Sequence, residues 1–167
     1  NMSPSAQASE HPALFERVAA SFQRQGLMVH LGARLLRVAP GLCEILLPYS
    51  DRVTQQQGGF HGGAMGALAD IAGGYAALTV APEGMEVTTV EYKINFLQAH
   101  QGGELHAIGR VVRGGKRIIV TTAEVVHLSD GGVRSGVGVR RLATPWPMAG
   151  CITNQGAATD ASPNSSA

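Results

Sequence analysis

Hydrophobic residues recur at helical spacing in two parts of the chain. After Pro12, a residue type favoured in the first turn of a helix, apolar side chains follow at helical intervals until Gly26; they are Leu14, Phe15, Val18, Ala19 and Phe22. Residues 62–79 form a longer apolar run, which Ala81-Pro82 closes. The pattern predicts a short helix near the start of the chain and a long, almost wholly apolar helix in its middle.

The remaining apolar segments are short, rich in β-branched residues and bounded by turn residues, a pattern typical of strands. Six such segments occur, at about 28–38, 42–48, 86–97, 103–113, 116–128 and 133–142. Pro40-Gly41 joins the first two, and short glycine turns separate the last four, which favours an antiparallel meander because parallel strands need long crossovers. The predicted fold is α+β, with one six-stranded antiparallel sheet that buries the long helix on one face.

One domain, predicted at 9–143, accounts for most of the 167 residues. Residues 1–8 are rich in Ser, Ala and Gln and are predicted to be flexible. Residues 144–167 are rich in Ala, Ser, Thr, Asn and Pro, a composition that predicts a low-complexity, disordered tail after a short ordered stub.

Charge is sparse along the chain. Charged residues make up 15% and apolar residues 44%, so we expect part of the surface to be buried against another subunit. The net charge of +1 provides no global basic field for nucleic acid. No apolar run reaches membrane-spanning length. The spacing of Cys43 and Cys151 is typical neither of a disulfide framework nor of a metal site, so we predict that both are free thiols. These observations together predict a cytoplasmic protein.

A single carboxylate, Asp70, interrupts the long apolar helix. The six positions three, four and seven residues away on either side share its face, and all are glycine or alanine: Gly63, Gly66, Ala67, Gly73, Gly74 and Ala77. Interior glycines destabilise a helix by about 1 kcal/mol each, so another backbone or a ligand is expected to approach this face closely. The opposite face is predicted to be core, with Met65, Leu68, Ile71, Tyr75 and Leu78.

Two interpretations of Asp70 remain open. In the first, the small face makes a tight helix contact and Asp70 faces water at its edge. In the second, Asp70 lies in a narrow groove and acts as a base or nucleophile. The absence of Lys or Arg within one helical turn favours the second, because a buried aspartate without a partner is rarely structural.

The sequence His61-Gly62-Gly63 lies where the long helix is predicted to begin. Unpaired N–H groups at a helix N-terminus can stabilise a developing oxyanion, and glycine lets a substrate oxygen come close. The alternative for His61 is an N-terminal cap or a loop histidine.

The spacing between Gly62 and Asp70 limits how they can cooperate. Eight residues of helix span about 12 Å, so one carbonyl group cannot touch both on the same helix. Two antiparallel copies of the helix would bring Gly62 of one chain beside Asp70 of the other, in an isologous dimer with a shared site.

These residues resemble a known family. The segments HGGAMGALADIAGGYAAL, TTVEYKINFL and GRVVRGGKR are similar to those of the hotdog-fold acyl-CoA thioesterases, and the phenylacetic-acid-degradation branch is the closest in pattern. The resemblance covers residues 25–142. It implies a curved six-stranded antiparallel sheet wrapped around one central helix, and a homodimer that often pairs into a homotetramer. It also implies hydrolysis of acyl-CoA without a metal or organic cofactor.

The resemblance assigns roles to particular positions. Asp70 matches the family's catalytic base or nucleophile, and Gly62 of the partner chain matches its oxyanion donor, with His61 beside it. Gln55 stands where the family commonly has an asparagine that holds the attacking water, and Thr89 matches a hydroxyl residue that assists that water.

A basic cluster surrounds the predicted turn between the fourth and fifth strands. Arg113, Lys116 and Arg117, together with Arg110, have no acidic residue among them. They could bind the phosphates of coenzyme A, and the alternative is a set of solvated turn charges.

Two rival functions remain at the level of sequence. A hotdog hydratase or dehydratase would pair a histidine with a carboxylate, and His61 could serve. A non-catalytic acyl-CoA-binding protein would use the same fold. A zinc site is disfavoured, because four of the histidines lack metal-ligand spacing; they are His30, His100, His106 and His127.

Overall fold

The computed structural model describes residues 10–128 and the backbone of 148–153. Within these residues the helices are α1 (Pro12–Phe22), α2 (Gly26–Leu31), a 3-10 turn (Asp51–Val53) and α3 (Gly62–Leu78). The strands are β1 (Arg34–Ala39), β2 (Leu42–Pro48), β3 (Glu86–Glu91), β4 (Glu104–Arg113), β5 (Ile118–Leu128) and β6 (Met148–Thr153).

The six strands form one sheet in the order β1-β2-β4-β5-β6-β3, and every neighbouring pair is antiparallel. The long helix α3 packs on one face of this sheet against β2 to β6. The core lies between them, and alternate residues of β2 and β4 point into it, as expected for a strand with one buried face. The α+β prediction is therefore confirmed.

A close backbone approach holds α3 against the middle of the sheet. A Cβ atom at Gly109 of β4 would lie 2.1 Å from the carbonyl oxygen of Ala72 and 2.7 Å from the Gly73 nitrogen. Its cross-strand neighbour Ala123 and the nearby Ala107 are also small and buried. Small residues on both surfaces thus let the helix backbone lie directly on the strand backbone.

The first predicted strand, 28–38, is wrong in its first half. Residues Gly26–Leu31 form helix α2, in which Met28 and Leu31 are buried one helical turn apart. Gly32 then adopts a left-handed conformation (φ 78°) and ends the helix, so β1 begins only at Arg34.

The predicted strand 86–97 and the predicted meander also differ from the structure. Strand β3 ends at Glu91, after a register shift between Thr89 and Glu91. It pairs with β6 and not with β4, so it forms one edge of the sheet while β4 and β5 make the predicted hairpin. Pairing between distant segments overrides the local preference for neighbours along the chain.

The C-terminal part of the chain also contains an unpredicted strand. Residues Met148–Thr153 form β6 between β5 and β3, within the segment 144–167 for which the sequence predicts a short ordered stub followed by a disordered tail. The predicted strand 133–142 lies outside the described residues.

Cys43 is a free thiol in the core, and burial raises its pKa to about 12. No helix within the described residues is long and apolar enough to cross a membrane.

We expect Gly109→Ala to lower the free energy of unfolding by about 1–3 kcal/mol, because the added methyl group must push α3 away from β4. Gly114→Ala is the matched control, since its Cβ would meet no atom within 4 Å. Urea unfolding of both variants tests this, and equal stabilities would show that the helix tolerates displacement from the sheet.

Candidate active site

Asp70 is paired with a hydroxyl group of the neighbouring strand. Thr89 of β3 donates a hydrogen bond from its Oγ1 to Oδ1 of Asp70 over 2.7 Å. Helix α3 packs against β3, which places these two side chains opposite each other. The sequence predicted both residues as part of the site, and the structure brings them together.

The pair lies in an open cleft of about 110 Å³ between α1, α3 and β3. The floor of the cleft is the face of α3 formed by Ile71, Gly74 and Leu78. No atom of the described chain would contact a Cβ at Gly74, so this part of the floor is open. A group that reaches Asp70 can therefore extend along the helix past Gly74.

A polar cluster forms the other end of the cleft. The hydroxyl of Tyr75 accepts a hydrogen bond from Gln25 Nε2 (3.3 Å) and shares another with Ser21 Oγ (3.1 Å). All three residues line the cleft, although the Tyr75 ring is buried against Phe22. Sequence reasoning assigned Tyr75 to the core and missed this cluster; the one signal was a tyrosine on an otherwise aliphatic helix face.

The N-terminus of α3 carries the predicted oxyanion donor. His61 is the N-cap, and its Nδ1 accepts a hydrogen bond from the Gly63 N–H over 2.8 Å. This geometry agrees with the alternative in which His61 acts as an N-terminal cap. The ring of Phe96 lies 3.5 Å from the position that an added Cβ atom would occupy at Gly62. No hydrogen bond within the described residues uses the Gly62 N–H.

Gln55 lies in the tight loop that leads into α3. Its backbone N–H donates to the Gly59 carbonyl (2.8 Å), and its side-chain Oε1 accepts from the Gln57 N–H. The Gln55 amide nitrogen would lie 3.2 Å from a Cβ at Gly59. Loop contacts therefore fix this side chain in the short segment before Gly62.

The predicted site residues thus form two groups at different points of one helix. Gln55, His61 and Gly62 belong to its N-terminal end, whereas Asp70 and Thr89 lie halfway along. Helix α3 is continuous from Gly62 to Leu78, so the separation of about 12 Å between Gly62 and Asp70 holds. One chain does not bring the two groups to the same carbonyl group.

The basic cluster lies at the turn between β4 and β5. Arg113, Lys116 and Arg117 are all exposed. Ile118, at the start of β5, pairs with Cys151 of β6, which in turn pairs with Thr88 of β3. Two strand spacings, about 10 Å, therefore separate the start of β5 from the strand that carries Thr89.

Three other histidines, His100, His106 and His127, have contacts elsewhere in the fold. His106 Nε2 lies 2.8 Å from Glu44 Oε2, and this hydrogen bond lowers the pKa of Glu44. His127 contacts the Gly102 carbonyl and stacks on His100, whose pKa is lowered by burial and by His127. Among the described residues, no three His, Cys, Asp or Glu side chains are grouped to hold a metal ion.

Comparison with solved structures gives the same fold. A thioesterase family protein from Silicibacter pomeroyi is 33% identical, with a TM-score of 0.68 over 83% of this chain and 93% of that chain. The E. coli PaaI protein from the phenylacetic acid degradation operon is 19% identical, with a TM-score of 0.63 over 83% of this chain and 88% of that one.

Sequence comparison points in the same direction. A protein of Saccharolobus solfataricus named "Putative esterase" is 36% identical over 94 residues, which are 56% of this chain and 66% of that protein. A second protein of that name from the same organism is 30% identical, and 59% of its length is covered. The chain therefore spans roughly 60–66% of these curated relatives.

The family model of the thioesterase superfamily matches residues 57–133, which include α3 with Asp70, strand β3 with Thr89 and the basic turn. Together with the 33% identity to a thioesterase family protein over nearly all of that protein's length, this match shows that the chain belongs to the thioesterase superfamily and has its hotdog fold.

Proposed function

We propose that the protein hydrolyses acyl-CoA thioesters to a carboxylic acid and coenzyme A, in a site shared by two copies of the chain. The observation that carries the proposal is the 2.7 Å hydrogen bond between Thr89 and Asp70 inside an open cleft. Membership of the thioesterase superfamily supports the reaction type. A coenzyme A thioester as substrate agrees with the cytoplasmic location predicted from the sequence.

Asp70 can act in either of two ways. As a base, its carboxylate takes a proton from water, the oxygen of which attacks the thioester carbon. As a nucleophile, it attacks that carbon itself, and water then hydrolyses the mixed anhydride. In both routes the carbon–sulfur bond breaks and coenzyme A leaves as a thiol after it takes up a proton. Because the Thr89 O–H donates to Asp70 Oδ1, the Thr89 oxygen can accept from the attacking water and orient it.

The oxyanion donor in this proposal is the Gly62 N–H of the second copy. Edge strand β3 and the segment after it expose large apolar side chains; they are Val90, Tyr92, Phe96 and Leu97. Such a patch favours self-association when it lies beside a strand edge that no other described strand covers. Phe96 also packs on Gly62, so an interface at this edge includes the N-terminus of α3. Pairing of dimers into tetramers stays a prediction.

Gln55 and His61 complete the N-terminal half of the site. We assign Gln55 to the positioning of the attacking water and His61 to holding the helix end. Because His61 Nδ1 accepts from Gly63, a neutral His61 carries its proton on Nε2 and has no free lone pair to act as a base. This contact disfavours the hydratase alternative.

The basic turn is proposed to bind the phosphates of coenzyme A. Arg113, Lys116 and Arg117 are exposed, and no ion pair found in the described part of the chain involves them. Their place two strands from Thr88 puts them at the rim of the sheet near the reaction centre. Basic side chains at about 10 Å from β3 can bind the phosphates of coenzyme A, which is a long and anionic leaving group.

We expect Asp70→Asn and Asp70→Ala to lower thiol release from acyl-CoA by about 10²–10⁴-fold, since the base or nucleophile is lost. Asp51→Asn, which changes an exposed carboxylate of the 3-10 turn, is the control. Thr89→Val should cause a smaller loss, and Thr89→Ser should keep most activity. Near-full activity of Asp70→Asn would refute the mechanism, and binding without turnover by the unaltered protein would favour a non-catalytic acyl-CoA-binding protein.

We expect Gly62→Pro to lower kcat by about 10²–10³-fold, because proline removes the oxyanion-binding N–H. Proline suits the first position of a helix, and His61 already has the extended conformation that a residue before proline requires (φ −70°, ψ 134°). Gly62→Ala is the control: it keeps the N–H, and its Cβ makes an ordinary contact of 3.5 Å with Phe96.

Mixing the Gly62→Pro and Asp70→Asn chains tests whether the site is shared. Each mixed dimer would contain one intact site if Gly62 and Asp70 come from different chains, so about a quarter of the unaltered activity should return. No recovery, after exchange of subunits has been verified, would place both groups in one chain.

We expect the double change Arg113→Ala and Lys116→Ala to raise KM for acyl-CoA about tenfold with little change in kcat, because the lost charges contact a part of the substrate that does not react. The effect should shrink at high ionic strength. Arg34→Ala, at the opposite edge of the sheet, is the control. A fall in kcat at unchanged KM would contradict a role in coenzyme A binding.

A further inference from the structure

We infer that the far end of the cleft recognises an uncharged oxygen atom on the acyl group, at the end remote from the thioester. The recognising group is the hydroxyl pair of Ser21 and Tyr75. The inference rests on the proposed function for the direction in which the acyl group lies, and it specifies the class of acyl group that the site takes.

The two hydroxyl groups of the polar cluster carry two hydrogen atoms, and the hydrogen bonds within the cluster use only one of them. Tyr75 Oη accepts from Gln25, so the hydrogen bond between Tyr75 and Ser21 uses one of their two hydroxyl hydrogens. No other acceptor within the described residues takes the second hydrogen. Whichever hydroxyl donates to the other, one O–H remains available beside the cleft. A ligand with an oxygen acceptor at that point would satisfy it.

The cluster is held in a fixed position. Tyr75 is only 5% exposed, and its ring lies against Phe22 with centroids 5.9 Å apart. Gln25 lies just after α1 and donates to the same hydroxyl. Because burial fixes the ring, the tyrosine hydroxyl needs little further ordering when a ligand binds, which favours selective hydrogen bonding.

The path from Asp70 to the cluster suits a chain of carbon atoms. Ile71 and Gly74 lie between Asp70 and Tyr75 on α3 and form an apolar floor, and the missing side chain at Gly74 leaves room above the helix. Apolar contact along this floor binds the body of the acyl group without selecting its end. The polar end of the cleft then distinguishes acyl groups by what they carry there.

The charges around the cleft favour an uncharged oxygen over a carboxylate. Two acidic residues, Asp70 and Glu86, line the cleft, and no Lys or Arg is among its lining residues. A terminal carboxylate would therefore be repelled and would find no cation among the lining residues. The guanidinium of Arg17 on α1 donates to the Leu78 carbonyl oxygen over 3.1 Å and does not itself line the cleft. A hydroxyl, ether or carbonyl oxygen accepts the free hydrogen without that cost.

The test is a binding measurement with coenzyme A thioethers, in which a methylene group replaces the thioester carbonyl so that no hydrolysis occurs. Three series are compared by titration calorimetry on the full chain: alkyl, ω-hydroxyalkyl and ω-carboxyalkyl, from about four to about ten carbons, a range that brackets the ~7.5 Å along the helix axis from Asp70 to Tyr75. At the length that reaches the cluster, we expect the hydroxyl to bind about three- to tenfold tighter than the alkyl group, and the carboxylate more weakly than either.

The variants test which atoms cause the preference. The double variant Ser21→Ala/Tyr75→Phe removes both hydroxyl groups and should bring the affinity ratio of hydroxyalkyl to alkyl to about one. Tyr49→Phe is the matched control, because it removes a hydrogen-bonded tyrosine hydroxyl outside the cleft and should keep the ratio. The two single variants then show which hydroxyl donates to the ligand.

Each other result overturns the inference in a recognisable way. Equal affinities for alkyl and hydroxyalkyl groups at every length would refute the inference, while thiol release would still support the proposed function. A preference for the hydroxyl that survives in the double variant, or tightest binding of the carboxylate, would also refute the inference. Failure to bind any thioether, together with no thiol release, would reject the proposed function as well.

Discussion

The contact between α3 and the centre of the sheet sets the geometry of the whole site. Gly109 lets the strand backbone approach the Ala72 carbonyl at a distance that no side chain would permit. This contact lies two residues from Asp70, so it also fixes how far Asp70 stands from β3 and from Thr89. Because α3 is also continuous from Gly62 to Leu78, its N-terminal N–H groups and its carboxylate keep a fixed separation along one rigid axis.

The same rigidity explains why one chain leaves several groups unsatisfied. The Gly62 N–H has no acceptor within the described chain, Gly74 faces open space, and edge strand β3 is followed by exposed Tyr92 and Phe96. A flexible helix could bend to bring Gly62 towards Asp70, but α3 is unbroken and too long for that. The proposed second copy of the chain would account for all of these features at once, because it would cover the edge and supply the opposite half of the site.

The helix and its carboxylate could be predicted from sequence because their signals are local. The small residues around Asp70 share one helix face, and the turn residues mark the strands. Thr89 could be placed only through a family resemblance, since the pairing of β3 with β6 joins distant segments. Helix α2 was missed although Gly32 marks its end. Tyr75 was assigned to the core because its ring follows the apolar pattern, while its hydroxyl reaches the cleft.

The two ends of the cleft are coupled because Asp70 and Tyr75 belong to the same rigid helix. Five residues separate them, about 7.5 Å along the helix axis. In the proposed binding mode, an acyl group whose far oxygen is held at Tyr75 and Ser21 would have its carbonyl carbon at a defined distance from Asp70. Binding energy gained at the far end would then orient the reacting end, which would raise the rate only for acyl groups of matching length. The glycines of α3 serve this arrangement twice, since one face must admit a substrate and the other must lie on the sheet.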